Sequence, residues 1–496
     1  MTVLPELLAS GYRVGGHYPW PCAVVDETLW SAAAANLASG ALTLLSLWGE
    51  TGRIHMAVLA EDAPEPIAVL SLDCPDGRYP SVGALHPPAI RLERAARDLF
   101  GLDAQGSPDD RPWLDHGRWG GATPPAASYP FLPIDGAGLH QIPVGPVHAG
   151  IIEPGHFRFT ASGETVVRLE ERLGYVHKGV DTLLAGAQVP RAGRIVARVS
   201  GDSTVAYGLA FAQAVEAALG IVPPQRAVWL RAVMAELERI ANHLGDFGAI
   251  CNDASFSIML AHCAVLRERV LRAAAHCFGH RLMMDCIVPG GVGGDLDDTG
   301  LAMLRDLVVS LADAFEPLVS LYDNAASLLD RTVTTGILKP ALARQFGAGG
   351  YVGRASGRGF DARRMPGYAP YDALTFAVPV LTEGDVNARV WIRIHEIRAS
   401  LGLLEQLLSG LPEGPVLMSL EDVFAGPGEG MALVEAFRGD VLIWLRIVDG
   451  HIDRCHIRDA SWFQWPLLEA VIEGNIVADF PLCNKSFNCS YSGHDL

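Results

Sequence analysis

Pro223-Pro224-Gln225-Arg226-Ala227-Val228-Trp229-Leu230-Arg231-Ala232-Val233-Met234-Ala235-Glu236-Leu237-Glu238-Arg239-Ile240-Ala241-Asn242-His243-Leu244 reads as one long helix. The two prolines suit a first turn, where a missing N–H costs nothing. The residues that follow are apolar over a wide face, which marks a helix inside a bundle. The same spacing recurs through 204–219, 256–284, 299–332 and 388–410, so a long-helix core is expected from about residue 204.

Strand signals flank this core. Gly145-Pro146-Val147-His148, Gly155-His156-Phe157-Arg158-Phe159 and Val166-Val167-Arg168-Leu169 precede it, and a tail over 440–470 returns to strand-like runs, at 440–448 and 451–457. Ahead of these lies a smaller α+β pattern. Apolar runs at 41–48, 54–59 and 67–72 suggest strands, and Arg91–Phe100 suggests a helix stopped by Gly101. Residues 118–139 are rich in Gly, Pro and Ala and read as a linker. The expected fold is therefore α+β: a small domain over 1–117, a linker over 118–139, and a helix bundle with β-rich ends over 140–496.

Half of the 496 residues are hydrophobic and 19% are charged, which suits a well-cored protein of two or more domains. The net charge of -18 argues against nucleic acid and against direct docking on anionic lipid. No basic n-region precedes an apolar stretch at the start, and no apolar run reaches the ~20 residues of a membrane span. A cytoplasmic location follows as the expectation, with membrane attachment only through partners. The nine cysteines contain no Cys-x-x-Cys pair, so buried structural thiols are expected rather than metal ligands.

Single motifs have ordinary readings. Pro289–Asp295 is glycine-rich but lacks the lysine of a phosphate loop, and suits a turn. Glu153-Pro154-Gly155-His156 sets a carboxylate three residues from an imidazole, either a proton-carrying pair or a hydrogen-bonded turn. Tyr175-Val176-His177-Lys178-Gly179 alone reads as a surface turn.

Taken in order, the pieces resemble the large catalytic subunits of membrane-bound energy-converting nickel–iron hydrogenases, including that of formate hydrogenlyase. They also resemble the quinone-site (49-kDa-type) subunit of complex I. The resemblance is carried by Gly145–His148, Glu153–Arg158, Leu173–Gly179, Ala214–Glu216, Glu236–Leu244, Gly353–Gly357, Gly384-Asp385 with Arg389, Glu435–Gly439, Gly474–Asp479 and Asn484–Asn488. Residues 1–117 resemble the 30-kDa-type accessory subunit of complex I through Arg91–Gly101 and Asp110-Arg111-Pro112.

The departures bear on function. The resemblance implies four cysteine ligands for a nickel–iron centre, and here those positions hold Ser200, Ser203, Ser490 and Gly493. Thiolates hold soft metals; serine hydroxyls and a bare glycine do not. Cys489 stands one residue early, so its side chain is expected to point elsewhere. A histidine the hydrogenases keep after the first pair is Tyr207, and with the sequence ending at Leu496 no tail to be trimmed after metal insertion is expected. The complex I quinone histidine matches His156, but its tyrosine partner falls at Gly201, leaving Tyr207 as a candidate substitute. Glu153 falls where membrane-bound hydrogenases keep a proton-relaying glutamate.

The resemblance thus implies a redox subunit without a nickel–iron centre. Glu153, His156 and Tyr207 are its candidate proton-handling residues. Ser200, Asp202, Ser203, Ser490, Gly493 and His494 are candidate lining of the former metal cavity, a possible quinone pocket. The implied partners are an iron–sulfur small subunit and integral, antiporter-like membrane subunits. A non-catalytic scaffold is the alternative, and an active hydrogenase a remote one.

Overall fold

The computed structural model describes residues 3–117, 119, 129–150, 152–418 and 426–496. Most of the first half of the stretch read as a linker, 118 and 120–128, lies outside the described residues.

The N-terminal module is built on a five-stranded sheet in the order Tyr12–Val14, Cys22–Val24, Ile67–Asp73, Arg53–Leu59, Thr43–Glu50. The last three strands coincide with the three apolar runs of the sequence. Helix Ile90–Phe100 packs against it and ends at Gly101, whose φ of 69° suits glycine.

A three-stranded antiparallel sheet follows, Leu139–Val144, His156–Ser162 and Thr165–Arg172, with the middle strand at its centre. Gly145–His148, expected as strand, is a bend. Gly145 has φ 97°, and a Cβ there would lie within 2.4 Å of the Gly155 carbonyl oxygen, so the chain turns at that point.

The bundle consists mainly of Thr204–Leu219, Gln225–Asp253, Ser257–Phe278, Asp298–Asp323 and Val386–Ser409. Two expected helices are shorter than their apolar pattern. Gly279 (φ 77°) closes the third, and the fourth breaks before Ala326–Thr332. Inside the bundle, helical spacing buries charged groups as well as apolar ones. Arg354 meets Glu396 at 2.7 Å and Glu435 at 2.8 Å, Arg363 meets Asp361 at 2.7 Å and Glu236 at 3.0 Å, and His243 meets Glu396 at 2.7 Å. Buried charges survive only when paired in this way.

Ahead of its last helices the chain forms a four-stranded sheet; the end of the tail expected as strand-like is instead helix Ser461–Val471. One strand of the sheet, Gly428–Glu435, is unforeseen in the sequence. Its glycines disguise it as a turn. They let the strand lie directly on helix Thr204–Leu219: a Cβ at Gly430 would fall 1.9 Å from the Ala214 carbonyl oxygen. The edge of this sheet is completed by His17–Tyr18, so the N-terminal module contributes a strand to the C-terminal sheet. Stacking reinforces the junction. The Trp48 indole stacks with His55 (5.2 Å) and with His456 (4.8 Å), and Ser46 bonds His456 at 2.8 Å. Leu92, Trp113, Phe157, Trp462 and Tyr491 belong to one apolar core that spans both parts. No described helix is long and apolar enough to cross a membrane.

Candidate functional site

Three segments converge on one buried point. The first is the 3-10 turn Gly201–Ser203 at the start of helix Thr204–Leu219. The second is the hairpin at Ala436–Gly439. The third is the short C-terminal helix Tyr491–Asp495, capped by Ser490, whose hydroxyl accepts the Gly493 N–H at 2.9 Å. Ser490 and Ser200 lie hydroxyl to hydroxyl at 3.3 Å, although 290 residues separate them.

The two serines of the first turn serve a carboxylate. Ser200 donates to Asp202 at 2.7 Å and Ser203 at 3.3 Å. Arg438 closes on Asp202 with both terminal nitrogens, at 2.9 and 2.5 Å, and its Nε donates to the Asn488 carbonyl at 2.5 Å. Burial alone would raise the Asp202 pKa. The guanidinium and the two hydroxyls outweigh it and hold the carboxyl at about 2. The Arg438–Asp202 pair thus fastens the 200–203 turn to the hairpin and, through Asn488, to the tail.

The fourth side of the site is filled by Tyr207. Its hydroxyl donates to Asp459 at 2.6 Å, and Asp459 also accepts the Ser461 N–H at 2.8 Å. Burial, then the Asp459 charge, push the phenol well above its ordinary range, so it stays protonated. Gly493 sits against this pair. A Cβ on it would lie 2.8 Å from the Tyr207 hydroxyl, 2.9 Å from the Ser490 hydroxyl and 3.0 Å from the Asp459 carboxyl carbon. The volume into which a side chain at 493 would project is taken by the phenol.

These residues do not fit a nickel–iron centre. Hydroxyls stand for three of its thiolates, and the fourth position has neither a side chain nor room for one. Cys489 does not compensate: its sulfur lies near Gln464, 4.0 Å away, and burial raises its thiol far above the ordinary range. Among the described residues, no group of three or more His, Cys, Asp or Glu side chains is placed to hold a metal ion.

The remaining candidates lie on other sides of the tail. The exposed Glu153 accepts the Ser492 N–H at 3.3 Å. His156, buried at the start of its strand, packs against Phe131 in a tilted ring contact with centroids 4.8 Å apart, and its Nε2 has no partner among the described residues. Burial and then the Arg158 charge keep its imidazole below its usual pKa. His494 bonds Asp495 at 2.9 Å and stacks on Trp462 at 4.1 Å, with Trp113 of the N-terminal module at 5.6 Å. It therefore packs among aromatic rings, not against the serines. The structure brings together Ser200, Asp202, Ser203, Tyr207, Ser490 and Gly493, and sets Glu153, His156 and His494 around the tail helix.

Three contributors carry no functional mark in the sequence. Arg438 lies in the Glu435–Gly439 motif with nothing to show its partner, and Asp459 follows the last strand with no local signal. The Tyr175–Gly179 turn proves to be a clamp: the Lys178 ammonium donates to the Val199 carbonyl at 3.2 Å, its N–H to the Leu496 carbonyl at 2.6 Å, and the Val176 N–H to Asp495 at 3.1 Å.

A fused α+β module, a helix bundle and a loop–tail junction over a degenerate ligand set define a large-subunit architecture shared by hydrogenases and complex I. Sequence comparison agrees. Residues 253–426 match the family model of the respiratory-chain NADH dehydrogenase 49 kDa subunit, and residues 42–131 that of its 30 kDa subunit. Formate hydrogenlyase subunit 5 of Escherichia coli (strain K12) is 30% identical over 450 residues, covering 86% of this chain and 78% of that protein. The carbon monoxide-induced hydrogenase of Rhodospirillum rubrum is 31% identical over 70% of this chain and 97% of its own length. An NADH-quinone oxidoreductase subunit of Roseiflexus sp. (strain RS-1) is 32% identical over 68% of this chain and 94% of its own length. A chain of the membrane-bound sulfane sulfur reductase, an archaeal respiratory membrane complex, superposes with a TM-score of 0.69 at 27% identity, covering 74% of this chain and all of that one. The chain belongs to the complex I 49-kDa-subunit and hydrogenase large-subunit family, with a 30-kDa-type module fused ahead.

Proposed function

We propose that this chain is the large subunit of a membrane-associated redox complex that works without a nickel–iron centre. It takes electrons from an iron–sulfur cluster in a partner small subunit and passes them to an acceptor held beside the former metal cavity. Integral, antiporter-like subunits use the energy released, and attachment to the membrane is peripheral, through those partners. The observation that carries this reading is the filled fourth ligand position: the Tyr207 phenol occupies the space beside Gly493, while Ser200, Ser203 and Ser490 stand at the other three. The surroundings stay polar and able to move protons. The Tyr207–Asp459 pair lies inside the tail helix, and Glu153 and His156 lie outside it. An acceptor that needs both electrons and protons fits such a setting, and quinones and sulfane sulfur are two such classes.

A scaffold without turnover is the second reading. It is favoured by the mutual satisfaction of Asp202 with Arg438 and of Tyr207 with Asp459, which spends their polar atoms on one another rather than on a ligand. The test is purification of the intact complex, followed by assays of dihydrogen, quinol and sulfide production with a reduced donor. Acceptor reduction that is lost in His156→Ala supports the redox reading. Absence of turnover with every donor and acceptor refutes it in favour of the scaffold.

A further inference from the structure

Behind the tail helix, the N-terminal module and the large-subunit part meet at two carboxyls that share one cation. Glu171, in strand Thr165–Arg172, has a side chain with no exposed surface. Glu469, in helix Ser461–Val471, keeps 24% of its side chain exposed. Arg91 of helix Ile90–Phe100 reaches between them, 2.8 Å from Glu469 Oε1 and 3.4 Å from Glu171 Oε2. The Glu171 N–H donates to Glu469 Oε1 at 2.7 Å, which ties the two residues directly. Glu171 Oε1 is buried with no hydrogen-bond partner among the described residues.

Among the described residues, the surrounding charges leave Arg91 as the one cation paired with these carboxyls. Arg94, on the same helix, is engaged by Asp109 at 2.9 Å, and Arg111 by Asp109 and by Glu170, the neighbouring acid in the strand. Arg172 spends its guanidinium on the backbone carbonyls of Pro112, Trp113 and Asp115. Cys489 and Tyr491, facing Glu171 from the tail, are neutral, since burial raises both. One guanidinium can balance one carboxylate. A second carboxylate would place a negative charge on a buried oxygen without a donor, which burial disfavours and which makes the doubly ionised state the higher-energy one. Burial first, and the Glu469 charge second, push Glu171 well above the ordinary carboxyl range. Burial also raises Glu469, against the pull of Arg91.

We propose that Glu171 and Glu469 form a one-proton store at the junction of the two modules, one carboxyl neutral and the other ionised against Arg91. Glu469 is its solvent end, and Glu171 its inner end behind Cys489 and Tyr491. Loading the proton takes the three groups from a net charge of minus one to zero, and release reverses this. The use of the store in turnover rests on the proton-handling reading above; its existence does not.

The test is infrared difference spectroscopy of the resting full-length chain at neutral pH, with no donor or acceptor, following the C=O stretch of protonated carboxyls and its shift in D2O. Glu238, raised to about 8 by burial, and Glu93 and Glu435, each raised to about 7 with burial as the first cause, contribute a background that every variant keeps. Against it, wild type is expected to show one further component that disappears in Glu171→Gln and in Glu469→Gln, because the carboxyl left behind ionises on Arg91. Glu469→Gln keeps an acceptor for the Glu171 N–H at a part-exposed position, so it remains informative if the inner variant does not fold. Equal protonated-carboxyl intensity in wild type and Glu469→Gln would overturn the proposal. A component lost in both variants, together with no turnover by the intact complex, would leave the store standing and refute the redox reading; turnover by the intact complex without the component would do the opposite.

Discussion

Replacing Gly493 with alanine should loosen the tail from the site, and the geometry sets the scale. The added Cβ would lie 2.8 Å from the Tyr207 hydroxyl and 2.9 Å from that of Ser490, well inside ordinary contact. Overpacking of this kind costs ~1–3 kcal/mol. Displacing the phenol from Asp459 removes a buried, charge-assisted hydrogen bond worth ~1.5–3 kcal/mol. Against this, alanine gains ~1 kcal/mol over glycine within a helix. The net loss is about 1.5–5 kcal/mol, enough for roughly a tenfold or greater rise in local opening. Hydrogen exchange of the 487–496 segment reads that opening directly. Tyr207→Phe removes the atom that clashes, so Gly493→Ala in that background should cost less, with a coupling of ~0.5–3 kcal/mol. Strictly additive effects, or unchanged protection in Gly493→Ala, would refute the idea that the phenol fills the place of a lost side chain.

Three further outcomes are expected. Asp202 has its pKa depressed to about 2 by Arg438, so its contribution to stability is complete above the unfolded carboxyl value of ~3.9 and fades as pH falls from there toward about 2. Asp202→Asn should abolish that acid dependence in the protection of the 200–203 turn; a wild-type turn insensitive over that window would contradict it. His456 is held well below its normal pKa by burial, then by Arg454, Arg458 and His55, so the unfolded state binds more protons and stability falls as pH drops through ~6.5. His17, His55, His86, His243 and His494 are lowered too and share this slope, so His456→Phe should reduce it in denaturant midpoints by one histidine's part, and an unchanged slope would count against the Trp48 stack as the junction. Folded protein treated with a maleimide should label Cys277 and Cys286, which are partly exposed, ahead of the buried Cys489; early modification of Cys489 in peptide mapping would show that its burial is wrong.

Local pattern made the bundle legible. Helix Thr204–Leu219 falls on the apolar period, and the strands of the N-terminal sheet fall on their apolar runs. The strand Gly428–Glu435 was not legible, because its glycines answer to the distant helix Thr204–Leu219 rather than to their neighbours. Of the site, the degenerate ligand positions followed from the resemblance, by counting from the matching stretches Ala214–Glu216 and Phe487-Asn488. That Ser200 would meet Ser490 followed only from the resemblance, since no local signal joins them. Arg438 and Asp459 escaped because pairing across 236 and 252 residues leaves no trace in sequence order. His494 carried the polar look of a site residue, yet its flanking tryptophans, far away in sequence, decide where it packs.

The central claim is that this architecture persists without its metal. Quantifying nickel and iron by mass spectrometry in the intact, purified complex tests it most directly. The account predicts no nickel above background, with iron only in proportion to the partner's clusters. One nickel per chain would contradict it outright.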